Sequence, residues 1–150
     1  MKLQVLDDLS CKDTMLKGFV QNSARIGVEF SGGFAREDEK RVIAECFNRN
    51  IKSAAWLPGV TGKVPYGFYM PDRKRIVITS KHSPGAFDGE PSIASIGTGI
   101  HECYHSLGAD RDDTLCQMFN EPIVFAAELM TLVRYLKSGQ HKGVSDARLE

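Results

Sequence analysis

Hydrophobic and polar positions along this chain change period several times, and the changes mark out its elements. "GVEF", residues 27–30, alternates and closes at Gly32-Gly33, which predicts a short strand. "REDEKRVIAECFNRN" opens with acids and then places Val42, Ile43, Cys46 and Phe47 at helical spacing, predicting an amphipathic helix. "AAWLPGVTGKVPYGFYM" carries three turn signals and predicts one or two irregular strands, with Trp56 in the core. "KRIVITS", residues 74–80, bounded by Pro71-Asp72 and Pro84-Gly85, is the clearest strand. Beyond the turn-rich "KHSPGAFDGEPS" the second half is helical. One helix is expected over 91–108, starting near Pro91 or Ser92 and ending at Gly108 in a left-handed cap. "ADRDD" is a polar loop. A last helix covers 121–137, with Asn120 as its cap and Gly139 just past its end.

Strand, helix, strands, helix, helix is the order of an α+β domain whose helices pack on one small, twisted mixed sheet. Residues 1–150 are expected to form one such domain, since a chain of this length suits a single core. Segment 1–90 supplies a helix and the strands.

Composition narrows the partners. Nineteen basic residues balance nineteen acidic ones, so no global charge calls for nucleic acid or an anionic membrane. Charges interrupt every apolar run short of a membrane span. The start "MKLQVLDDLSCKD" lacks a secretory signal, which leaves the cytoplasm or export without a classical signal peptide. Cys11, Cys46, Cys103 and Cys116 form no C-x-x-C pair and are expected as plain thiols, neither a disulfide framework nor a cysteine zinc site.

The candidate chemistry lies in "GIHECYHSLG", residues 99–108. On a helix, positions i and i+4 share a face, so His101 and His105 can point at one ion. Neutral imidazoles so placed suit a tetrahedral zinc, whose catalytic sites take three protein ligands and one water. Glu102 lies about 100° round the helix, beside the ion, where a carboxylate can take a proton from water. Ile93, Ile96, Ile100, Cys103 and Leu107 form a stripe for the core, with Tyr104 off the histidine face. Ala94, Gly97, Thr98 and Gly108 leave the histidine face small. A helical glycine costs about 1 kcal/mol against alanine, so Gly97 and Gly99 imply close approach of another backbone or of a substrate.

The third ligand has several candidates. Asp110 and Asp112 flank Arg111 in the polar loop. Glu121 and Glu128 stand seven residues apart on one face of the last helix. At Glu121 an acid in the first turn also suits the helix dipole. Glu128 sits among Val124, Phe125, Ala127, Leu129 and Leu132, where a carboxylate is costly unless it binds metal or pairs, with Arg134 or Arg111 as candidate partners.

Through "HECYH" the chain resembles the zincin metallopeptidases, the H-E-x-x-H zinc enzymes. The longer metzincin pattern is matched as far as Gly108, and "CQM" with Met118 is similar to that clan's methionine turn, but Arg111 holds its ligand position. The gluzincin side is closer. There Asn120-Glu121 is similar to the N-E pair of thermolysin-like enzymes, with a shorter spacing of fifteen residues after His105. "FAAE" resembles a run in lethal-factor-like gluzincins, in which Val124 would stand at the ligand position. Glu128 then either binds metal or orients a histidine from behind.

The resemblance implies a zincin-like fold, one Zn2+ per chain on His101, His105 and Glu128 or Glu121, and Glu102 as general base in peptide-bond hydrolysis. It also implies a peptide or protein substrate laid along an edge strand, "KRIVITS" or "YGFYM". A second oxyanion donor would come from Tyr135, Tyr66, Tyr69 or His82. Competing readings are a binding or structural domain with a degenerate metal site, and an effector or toxin protease with a host target.

Overall fold

The computed structural model describes residues 3–80, 92–110 and 114–140. Its first element is a helix, α1, Thr14–Glu29. Asp13 caps it, its carboxylate accepting from the amides of Met15 and Leu16 at 3.0 and 3.1 Å. The strand expected at 27–30 is the last turn of this helix. Leu16, Phe19, Val20, Ser23, Ala24 and Gly27 are buried along one face, so the period is helical over sixteen residues even though the last four alternate. A tight 3-10 turn, Ser31–Gly33, then leads to α2, Glu37–Asn50, the amphipathic helix expected from its pattern.

Three strands follow: β1 Ser53–Leu57, β2 Gly67–Met70 and β3 Arg75–Thr79. The sheet order is β1-β3-β2, with β1 parallel and β2 antiparallel to β3. The fold is thus α+β with a mixed sheet, as the element order predicts. β3 ("KRIVITS") is paired on both sides and cannot serve as an edge; β2 ("GFYM") is one of the two edges. Trp56 on β1 is only half-buried, packed on the rim of the core.

Beyond the sheet come α3, Ile93–Leu107, a short α4, Thr114–Gln117, and α5, Glu121–Ser138. Ser92 is the cap of α3, accepting from the Ser95 amide at 3.1 Å. Pro91, the other expected start, lies outside the described residues. Gly108 is right-handed (φ −64°), not the left-handed cap expected. Its missing Cβ is needed for another reason: the Phe119 carbonyl presses on that spot. Gly139 does take the left-handed cap, at φ 79°.

α3 is the centre of the molecule, packed against α1, α2, α5, β2 and β3. The C-terminal helix, expected on the sheet, packs instead chiefly on α3, α1 and the Ser31–Gly33 turn. Tyr104 explains the difference: its hydroxyl donates to the Gly27 carbonyl at 2.7 Å and lies 2.6 Å from the Thr131 hydroxyl, tying α1, α3 and α5 together. Cys46, Cys103 and Cys116 are buried and Cys11 half-buried, all four as free thiols. Among the described residues, no helix is long and apolar enough to cross a membrane.

Candidate metal centre

The stripe read from the sequence positions α3. Ile96, Ile100, Cys103 and Leu107 are fully buried, which leaves His101 and His105 half-buried on the adjoining face. The helical glycines have the reason expected of them, but side chains supply it rather than a backbone or a substrate. A Cβ on Gly97 would stand 3.1 Å from Glu128 Oε2 and 3.3 Å from Leu132, and one on Gly99 would stand 2.7 Å from the Ser23 Cβ. These positions let α5 and α1 close on the motif helix.

α5 faces the histidines with Glu121, Phe125 and Glu128, spaced i, i+4, i+7. Asn120 caps the helix, accepting from the Ile123 amide at 3.2 Å, and so fixes Glu121 in the first turn. The two imidazole Nε2 atoms are 3.1 Å apart. Glu121 spans them, with Oε1 at 3.0 Å from His101 Nε2 and Oε2 at 2.8 Å from His105 Nε2. Glu128 stands behind, its Oε1 2.7 Å from His101 Nδ1. Phe125 packs edge-on against the His101 ring, centroids 4.8 Å apart.

Donor and acceptor roles sharpen this picture. A carboxylate only accepts, so His101 Nδ1 carries the proton that Glu128 receives. In the neutral ring, Nε2 of His101 is then a lone pair, and it faces Glu121 Oε1, another lone pair. His105 Nε2–H can donate to Glu121, but one proton cannot bridge all three contacts. A single cation among His101, His105 and Glu121 would satisfy them together. Donor atoms around a tetrahedral zinc stand about 3.3 Å apart, close to the spacings found. The donor set could hold a metal ion.

The charges reinforce one another. Burial pushes His101 down, but the hydrogen bond it donates to Glu128 and the charges of Glu102, Glu128 and Glu121 outweigh it and hold the ring above the ordinary histidine range. For His105 burial dominates and, despite Glu121, leaves it below that range. Glu102 is only 6% exposed, and burial, aided by Glu121 and Glu128 and opposed by His101, pushes its carboxyl up to about 7.

These groups line a cleft of about 660 Å³ between β2, α3 and α5, walled by Tyr66, Phe68, Tyr69 and Phe125. Three of its side chains are acidic, and none of the described ones is Lys or Arg. Among the tyrosines considered as oxyanion donors, Tyr66 and Tyr69 line the cleft. The Tyr69 hydroxyl is committed to the Asn50 carbonyl at 2.6 Å, and Tyr135 is buried against Phe30. His82 is outside the described residues.

Of the two loop candidates, the described one, Asp110, does not join the cluster. Asp110 is buried and ion-paired with Arg49, with the Cys46 thiol 3.5 Å from the same carboxylate oxygen. Arg111 and Asp112 lie outside the described residues. Arg134 packs on Gly32 and Gly33, while Glu128 takes His101 as its partner. Met118 is exposed and lies away from the cleft lining. Phe125 and Phe68 also line the cleft; for Phe125 the i+4 spacing from Glu121 is the signal the sequence carries. No protein-family model, curated protein or solved structure matches the chain.

Proposed function

We propose that this chain is a zinc-dependent peptidase of zincin type, nearer the gluzincins, with His101, His105 and Glu121 as ligands and Glu102 as general base. One observation carries the reading: two imidazole Nε2 atoms and the oxygens of a carboxylate from a separate helix lie within hydrogen-bond distance of one another. A zinc ion held by these three side chains would supply Lewis acidity at this end of the cleft. Glu128 serves from behind, holding His101 in the tautomer whose Nε2 can ligate.

The remaining work falls to Glu102. A carboxyl with its proton affinity raised toward neutrality is suited to take a proton from attacking water and return it to the leaving amine. The edge strand β2 lies along the same cleft and offers unpaired backbone groups to an extended peptide. Aromatic walls without described cations favour an uncharged, apolar segment over a terminal carboxylate, which points to cleavage within chains.

Zinc analysis combined with a peptide-library digest tests the reading. One zinc per chain and internal cleavage near apolar residues are expected. A folded protein that excludes zinc, its histidines bridged by protons alone, would leave a binding or structural domain instead.

A further inference from the structure

Two walls of the cleft are bonded to one residue outside it. Asn50, the last residue of α2, is buried, only 8% exposed. Its carbonyl accepts from the Tyr69 hydroxyl of β2 at 2.6 Å, and its side-chain amide donates to the Ser106 carbonyl of α3 at 3.1 Å. Tyr69 lines the cleft, and Ser106 follows His105 directly. Burial pushes the Tyr69 hydroxyl up to about 12, so it keeps its proton and remains a donor.

Satisfying the backbone does not by itself explain the side-chain amide, because the Ser106 carbonyl already accepts from the Ala109 amide at 3.2 Å. Replacing a buried hydrogen-bonded pair by apolar groups of the same shape is close to neutral in stability. What the amide adds is a fixed distance and direction. That distance matters because the walls meet differently at the two ends of the cleft. Near Thr98, β2 touches α3 directly: a Cβ on Gly67 would stand 3.0 Å from the Thr98 methyl. At the His105 end, Tyr69, Asn50 and Ser106 bridge the two elements. The last turn of α2 is itself anchored just beyond α3, through Arg49 on the buried Asp110. Asn50 is therefore part of a braced strut.

We propose that Asn50 is a positioning residue: it sets the separation of β2 from α3 at the His105 end, and with it the place of a bound peptide relative to the two histidines. The proposal rests on the reading that a peptide lies along β2, and not on zinc or on hydrolysis. A strut in series is cut by losing either of its bonds. Tyr69→Phe and Asn50→Ala should therefore act alike, and the double variant should be no worse than the weaker-binding single one. Two unrelated stabilising bonds would add instead.

Fluorescence anisotropy of a labelled, extended apolar peptide tests this, titrated with the full chain in chelator, with zinc uptake and hydrolysis measured on the same preparations. The dissociation constant should rise about tenfold in each single variant and about tenfold in the double variant. Zinc uptake should match the wild type, because neither substitution removes a proposed ligand. Urea melts establish that each variant is folded under the assay conditions, and Tyr69→Phe, which keeps the ring, carries the test where Asn50→Ala loosens the fold. Unchanged peptide affinity in Tyr69→Phe, additive losses in the double variant, or a wild type that binds no peptide would overturn the inference. A wild type that binds the peptide with the expected losses, but neither takes up zinc nor hydrolyses it, would support the inference and overturn the peptidase reading instead.

Discussion

Glu128 Oε1 lies 2.7 Å from Nδ1 of His101, on the side of the ring away from Glu121. One histidine is thus gripped by two carboxylates from the same helix, in different roles. Replacing the rear one leaves all three candidate ligands in place but frees the ring to turn. Glu128→Gln should weaken zinc binding by about 10- to 100-fold, the usual cost of losing an orienting partner. Glu121→Gln should weaken it further. Competition titration with a chelating dye ranks the two, and an equal or reversed order would exchange their roles.

Glu102 is buried beside the proposed ligands and is not one of them. Glu102→Gln keeps the shape and removes the base. Zinc content should stay at one per chain while peptide hydrolysis falls about 10²- to 10⁴-fold. Metal analysis and turnover on the same preparation check this, and undiminished turnover would remove Glu102 from the mechanism.

The same carboxyl gives the metal-free protein a pH dependence. Its pKa rises from 4.5 to about 7 on folding, so the folded state holds this proton more tightly than the unfolded chain does. Stability from this group is therefore complete below pH 4.5 and is lost as pH climbs through about 7. Glu102→Gln lacks that loss. Between pH 5 and 8 the variant should gain on the wild type by at most about 3 kcal/mol. Urea melts in chelator at both pH values measure the difference, and parallel behaviour of the two proteins would contradict it.

Gly99 is where α1 crosses the motif helix. A methyl there would run into Ser23, whose Cβ stands 2.7 Å from its position, with Phe19 at 3.2 Å. Alanine brings better helix propensity worth about 1 kcal/mol. Overpacking of this kind costs about 1–3 kcal/mol, and here it meets a Cβ rather than a flexible chain end. Gly99→Ala should therefore destabilise the protein and loosen zinc binding through α3. Thermal melts decide the sign.

Long or well-bounded periodic patterns translated directly into structure. α2, α3 and α5 and the strand in "KRIVITS" stand where their apolar spacing, caps and bounding turns place them, because burial of one face decides each of them. "GVEF" misled because four residues do not separate a period of 2 from one of 3.6; the buried face runs back to Leu16. Within the centre, His101, Glu102 and His105 were legible from local helix geometry. The choice between Glu121 and Glu128 was not, since seven residues put both on one face and only tertiary packing sets which oxygen reaches which nitrogen. Gly108 shows the same limit: its need is set by the Phe119 carbonyl, eleven residues away in the chain.

The most direct test is an anomalous difference map at the zinc edge from crystals of the zinc-loaded protein. One strong peak is predicted, bonded to His101 Nε2, His105 Nε2 and a Glu121 oxygen, with Glu128 still on His101 Nδ1. A map without density at that point, the two imidazoles bridged to Glu121 by hydrogen bonds alone, would contradict the account.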